Sequence, residues 1–162
     1  MTISNILAIY NLSSASEIRA GLDWYAVAHN EALGISERHN VPLTTVIGVI
    51  AALSPNNKWR RNLDNADALI AAYLDGEPVE SVKVSTYHTM KAKAWSILAD
   101  QLDNTDDILT RLNGQKIKSF YECILGIAHG ICIDGHALNI WRNERHGLTS
   151  DKTNIGKRLY AD

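Results

Sequence analysis

The stretch Leu112-Asn113-Gly114-Gln115-Lys116-Ile117-Lys118-Ser119-Phe120 joins two helical patterns through a glycine-bearing turn. Upstream, Asp106 to Leu112 forms a short helix with Asp106 and Asp107 in its first turn, where the helix dipole favours acids, and with Thr105 as its expected N-cap. Downstream, Ile117, Phe120, Tyr121 and Ile124 recur at the helical period from about Lys116 to Leu125. The unit over about 106–125 therefore reads as a helix-hairpin-helix. Such a turn presents the unpaired N–H groups that open the second helix, and these suit a phosphate oxygen. A glycine turn between helices also occurs simply as a turn, so this stretch alone leaves both readings open.

Outward from the hairpin, helical periodicity continues in both directions and strand signals are nearly absent. Ser14-x-x-Glu17 is a capping box, and Ile18, Leu22, Tyr25, Ala26, His29 and Leu33 then define an inward face as far as Gly34, the expected stop. Pro42 and Pro55 bracket the charge-free run Leu43 to Leu53, which reads as a helix buried on most sides. Its Val and Ile content keeps a buried strand as the alternative. An amphipathic helix from about Arg60 to Leu74 turns Leu63, Ala66, Leu69, Ile70 and Tyr73 inward and closes at Gly76. Another from Thr89 to Leu102 carries Ala92, Trp95 and Leu98 on its inner face. After Gly126 and Gly130, the apolar Ile131-Cys132-Ile133 leads to Asp134, the expected cap of a helix ending near Arg142. With no linker, repeat or low-complexity tract, the expectation is one all-α domain over 1–162. Residues Asn154 to Asp162 resemble the first turns of a helix without a stop signal, so the domain is expected either to fray there or to be C-terminally incomplete.

Composition bounds the function. The chain has 162 residues, 46% hydrophobic and 21% charged, enough apolar content for a real core and too much for disorder. No apolar run approaches the ~20 residues of a membrane span. The start, Met1-Thr2-Ile3-Ser4-Asn5, lacks a basic region and a small-residue cleavage site, so a cytoplasmic location is expected. Cys123 and Cys132 form no Cys-x-x-Cys pair, which speaks against a four-cysteine zinc or iron–sulfur site and against a disulfide framework. His29, His39, His88, His129 and His146 show no metal-ligand spacing, so neither metal nor cofactor is expected. The net charge of −2 hides an asymmetry: 13 acids face 8 bases over 1–107, and 5 acids face 8 bases over 108–162. A mildly basic C-terminal third suits a phosphate-bearing partner, although scattered solvated charge reads the same way.

Four stretches, in order, resemble the landmarks of the helix-hairpin-helix DNA glycosylase superfamily (HhH-GPD, the endonuclease-III-like base-excision enzymes). Leu53-Ser54-Pro55-Asn56, with a downstream Asn62, is similar to that family's Leu-Ser-x-Gln after a buried helix. Tyr87 with Lys91-Ala92 matches an aromatic followed by Lys-Ala at the head of a helix. Leu112, Gly114, Lys118 and Ser119 fall on the first, third, seventh and eighth positions of the family hairpin, and Ile133-Asp134-Gly135-His136 matches its hydrophobic–Asp–x–His. Asn113 stands where the family has proline, Lys116 where it has a second glycine, Asn56 where it has glutamine, and the iron–sulfur cysteine cluster is absent. The resemblance covers about residues 41–142. Short divergent members occur in phage genomes, some tied to modified thymine, so the resemblance implies a phage protein working in the host cytoplasm.

What the resemblance implies is a DNA N-glycosylase, a hydrolase that flips a base from duplex DNA and cleaves its glycosidic bond, with Asp134 and Lys118 as the catalytic pair. An ionised Asp134 at a helix N-terminus would stabilise an oxocarbenium-like transition state. Lys118, partly desolvated, would attack the same carbon and give an associated AP-lyase activity. Asp134 as a mere N-cap and Lys118 as a solvated lysine are the plain alternatives, and His136 reads as structural. The expected DNA contacts are Asn113, Gly114, Gln115, Lys116 and Arg142, with Asn56 probing the gap of the extruded base beside Asn57, Lys58 and Trp59. The other tryptophans, Trp24, Trp95 and Trp141, read as core. Two other functions fit the same scaffold: hypermodification of hydroxymethylpyrimidine in phage DNA, and non-catalytic DNA or protein binding. Duplex DNA is the expected partner, without a membrane or iron–sulfur cluster. Oligomeric state is left open.

Overall fold

The computed structural model describes residues 3–127 and 130–147. Eight α-helices and one 3-10 turn (Val79–Ser81) account for the regular structure, with no strand among the described residues. The helices are α1 (Ser4–Leu12), α2 (Ala15–His39), α3 (Leu43–Leu53), α4 (Trp59–Leu74), α5 (His88–Ala99), α6 (Thr105–Leu112), α7 (Gln115–Leu125) and α8 (Gly135–Arg142). The all-α expectation is met. The expected helical turns over Asn154–Asp162, and His129, lie outside the described residues.

α3 is the hub, and α2, α4, α5, α6 and α7 all pack on it. Every residue from Thr45 to Leu53 is buried, so the run is a helix, not a strand; coverage on all sides erases the amphipathic period that would have distinguished them. Gly48 makes this closeness feasible: a Cβ there would lie 2.9 Å from Ile108 Cγ2 and 3.4 Å from Ile97 Cδ1. Thr44 Oγ1 donates to Asp103 O at 2.7 Å and Thr45 Oγ1 to Leu102 O at 2.6 Å, tying the start of α3 to the α5–α6 connection. The Lys93 ammonium donates to Leu112 O at the end of α6, which anchors the following hairpin turn to α5.

Several helix limits and faces differ from the sequence expectation. α2 runs through Gly34 to a left-handed Asn40 (φ 51°), because one mid-helix glycine costs only about 1 kcal/mol against the buried Ile35 that follows. Its inward residues are Ala28, Ala32 and Ile35, whereas Leu22 is exposed: the small alanines allow close approach to α3. α5 ends at Ala99 rather than Leu102 and buries Ala94, Ile97 and Leu98, leaving Ala92 exposed. The cap of α6 is Asn104, which accepts from the N–H groups of Asp106 and Asp107 and displaces Thr105 into the helix. α1 carries no signal in the sequence reading; it buries no residue of its own and is joined to α8 through Asn5 Nδ2, which donates to Trp141 O at 2.9 Å. By contrast the α2 capping box, the inward face of α4 and the Asp134 cap of α8 follow the sequence signals.

Candidate functional site

The end of α3 leaves carbonyl groups without helical partners, as every helix C-terminus does. Here side chains satisfy them. Ser54 Oγ donates to Ala51 O at 2.9 Å, Asn57 Nδ2 to Leu53 O at 3.2 Å, and Asn62 Nδ2, from the first turn of α4, to Ile50 O at 2.9 Å. Asn57 Nδ2 also reaches Asn65 Oδ1 at 3.4 Å, which in turn accepts from the Ser85 N–H at 2.8 Å. These donors fix the orientation of both amides. The carbonyl oxygens of Asn57 and Asn62 are left buried without a hydrogen-bond partner.

Ser54, Asn57 and Asn62 form one wall of a cleft of about 410 Å³. Gly21, Trp24 and Tyr25 of α2 and Trp59 at the start of α4 continue the lining. Trp59 is held by Nε1 donating to Glu31 Oε2 at 2.7 Å. Phe120 of α7 joins the aromatic group, with ring centroids 5.1 Å apart for Trp24 and Trp59, 5.9 Å for Trp24 and Phe120, and 6.2 Å for Trp59 and Phe120. Such edge and tilted arrangements leave aromatic surface that a flat ligand can contact.

Lys116 and Phe120 stand one turn apart on α7 and share the cleft-facing side, with Cys132 and Asp134 completing the lining. The residues before α8 run back against α7. A Cβ on Gly130 would come within 3.1 Å of Cys123 N and 3.2 Å of its Sγ, and Cys132 Sγ donates to Lys116 O at 3.7 Å. This close apposition carries Asp134 to the cleft, where its Oδ1 accepts from the Ala137 N–H at 2.9 Å as the cap of α8. Burial first, and the neighbouring Cys132 and Cys123 second, push the Tyr25 phenol far above the ordinary range. Burial raises Cys123 and pushes Cys132 up to about 11, so both are protonated thiols at neutral pH.

Four of the sequence-derived candidates, Asn57, Trp59, Lys116 and Asp134, come together in this cleft. Lys118 does not line it. Two residues on a helix are separated by about 200° of rotation, so Lys116 and Lys118 cannot share a face. Asn56 is exposed in a left-handed conformation (φ 54°) beyond the lining, and Lys58 is exposed at the cap of α4. In the hairpin, Asn113 takes the left-handed C-cap of α6 (φ 45°), Gly114 is the extended N-cap of α7 with no side-chain cap bond, and Gln115 is exposed. Arg142 closes α8, and His136 is exposed. Trp24 is 36% exposed and belongs to the cleft rather than the core; Trp95 and Trp141 are half-buried.

The sequence reading missed Gly21, Trp24, Tyr25, Phe120 and Cys132 as lining residues. The available signal was the i, i+3, i+4 spacing of Gly21, Trp24 and Tyr25, but a core stripe gives the same spacing. Among the described residues, no three His, Cys, Asp or Glu side chains gather as a metal site, and no helix is long and apolar enough to cross a membrane.

The family model described as "Family of unknown function (DUF7178)" matches residues 1–162, and the chain belongs to that family. No curated protein and no solved structure matches it.

Proposed function

We propose that this member of a family of unknown function acts on a base in duplex DNA as an N-glycosylase-like hydrolase. The observation that carries this reading is the shared cleft: the Asp134 carboxylate at the N-terminus of α8 lines the same aromatic space as Trp59, Phe120 and Lys116. The volume falls within the ~300–1,000 Å³ of small-molecule sites. A base extruded from the stack would lie against the aromatic side chains, with its sugar toward Asp134. The carboxylate, held by the Ala137 N–H and the helix dipole, would stabilise the positive charge that develops at the anomeric carbon and orient the attacking water. The first-turn N–H groups of α7, beside Lys116 and without a side-chain cap, would grip the DNA backbone. For an associated lyase step, Lys116 is the amine that shares the cleft with Asp134, whereas Lys118 is not among its lining residues.

Single-turnover base release from duplexes that each carry one modified or mismatched base tests the reading. Asp134→Asn keeps the size and most of the capping ability, so release should fall by orders of magnitude with little change in stability. Full release by Asp134→Asn would overturn the proposal. Borohydride trapping on Lys116→Gln and Lys118→Gln separates the mechanisms: an adduct lost only in the former assigns the nucleophile to Lys116, and release without any adduct assigns the attack to water.

A further inference from the structure

Trp59 lines the cleft from the first residue of α4, and the chain just before it is extended (Lys58 ψ 141°). No preceding helical turn restricts its rotamer there, so the ring has to be oriented from outside its own helix. Two contacts from α2 do this. Trp59 Nε1, a group that can only donate, bonds to Glu31 Oε2 at 2.7 Å, and the Trp24 ring lies 5.1 Å away between centroids. Trp24 and Glu31 are seven residues apart on α2, which puts them two turns apart on one face. Phe120 of α7 adds a third contact at 6.2 Å. Both aromatic neighbours line the cleft themselves, whereas Glu31 is not among the lining residues. Its other oxygen is 4.0 Å from Arg60 Nη1, at the edge of an ion pair, and the exposed Arg60 also lies 3.5 Å from Asp64. The bond to Trp59 is thus the close contact that the Glu31 carboxylate makes.

We infer that Glu31 is a positioning residue of the cleft: by accepting from Trp59 Nε1 it holds the indole in the one orientation in which an extruded base stacks on it. The inference rests on the proposed function for the base as occupant of the cleft. A hydrogen bond to a carboxylate is stronger than one to a neutral acceptor, so this single contact selects one rotamer from the several open to a side chain at a helix start. A ring set in place before the ligand arrives spares the ligand the cost of ordering it. Glu31 therefore acts on binding without touching the ligand, and its effect passes entirely through the indole N–H. Without that N–H, the identity of residue 31 should cease to matter to the site.

The test is a cycle of four full-length variants: Glu31→Ala, Glu31→Gln, Trp59→Phe and the double variant Glu31→Ala/Trp59→Phe. Near-ultraviolet circular dichroism of the ligand-free protein reads the ring directly, with the Trp59 contribution taken as the parent spectrum minus that of Trp59→Phe. Glu31→Ala should lose most of that contribution. Glu31→Gln keeps an acceptor oxygen and removes the charge, so it should retain the signal; that retention assigns the effect to the bond to Trp59 and not to the ion pair with Arg60. Base release at subsaturating duplex should fall about three- to tenfold in Glu31→Ala and stay near the parent in Glu31→Gln. In the Trp59→Phe background Glu31→Ala should change release no further. An unchanged Trp59 signal in Glu31→Ala, or an equal loss of release in the presence and absence of the indole N–H, overturns the inference. If the parent releases no base from any duplex, the glycosylase reading falls, and the dichroism still decides whether Glu31 orients Trp59.

Discussion

α3 and α7 are both eleven residues long, yet they are used in opposite ways. α3 buries nine consecutive residues beneath five other helices, and its polar consequences lie at its two ends, where Thr44 and Thr45 tie its start to the α5–α6 connection and unpaired carbonyls at its close recruit Asn57 and Asn62. α7 buries Ser119, Tyr121 and Ile124 and leaves Lys116 and Phe120 on the open side of a cleft. A helix covered on every side has no face left for a ligand, so it acts on function only through what its termini position. A helix covered on one side combines both tasks, and its cleft-facing residues are free to be chosen for chemistry. Substitutions in α3 should therefore register as stability, and those on the open side of α7 as binding.

The largest effect expected on stability is Ile50→Ala, which empties a fully buried position of α3. A loss of about 2–5 kcal/mol should appear as a lower midpoint in denaturant. Phe120→Ala, from a half-buried site, should cost less stability and more affinity for the cleft ligand; an equal stability loss in the two variants would erase the contrast. Thiol chemistry samples the α7–α8 side. With Cys132 pushed up to about 11 by burial, against about 8.5 in an unfolded chain, its alkylation at pH 8 should run about 100-fold slower than that of a solvated thiol. The fold favours the protonated thiol. Its contribution to stability is accordingly complete below about pH 8.5 and is lost as pH rises toward about 11.

Smaller effects sharpen the same comparison. Gly48→Ala forces a methyl group to within 2.9 Å of Ile108 Cγ2 and should cost about 1–3 kcal/mol on thermal or chemical unfolding. Lys116→Glu should leave stability within about 0.5 kcal/mol of the parent while weakening duplex binding and reducing its salt dependence by about one phosphate contact. Lys118→Glu should weaken binding less; the opposite order, read from salt titrations, would move the DNA contact off the cleft side of α7. Smallest is Gly21→Ala on α2, where a Cβ meets nothing within 4 Å. It should raise stability by about 0.5–1 kcal/mol, visible as a small rise in Tm.

The helical punctuation was legible in the chain because each signal acts within a turn of itself. Ser14 and Glu17 satisfy one another, Pro42 and Pro55 bracket α3, Gly126 takes φ 85° at the end of α7, and Asp134 caps α8. The same locality explains the misses. Gly34 is a stop signal in isolation but is overridden by the burial of Ile35, and the orientation of α2 depends on how closely Ala28 and Ala32 let it approach its neighbours.

The chain alone specifies that the protein is all-helical, where most helices begin and end, and that Lys116 and Asp134 sit at helix starts, because caps, breakers and periodicity are interactions among near neighbours in the chain. Tertiary packing was needed to bring Trp24 against Trp59 and Phe120, to give Lys116 rather than Lys118 a cleft in common with Asp134, and to leave Asn57 and Asn62 with unpaired oxygens. Those outcomes depend on the rotation of one helix against another and on which backbone carbonyls lie within reach. The physical reason is that such contacts join residues far apart in the chain, and the helix–helix approach that brings them together is set by the whole core and not by any local pattern.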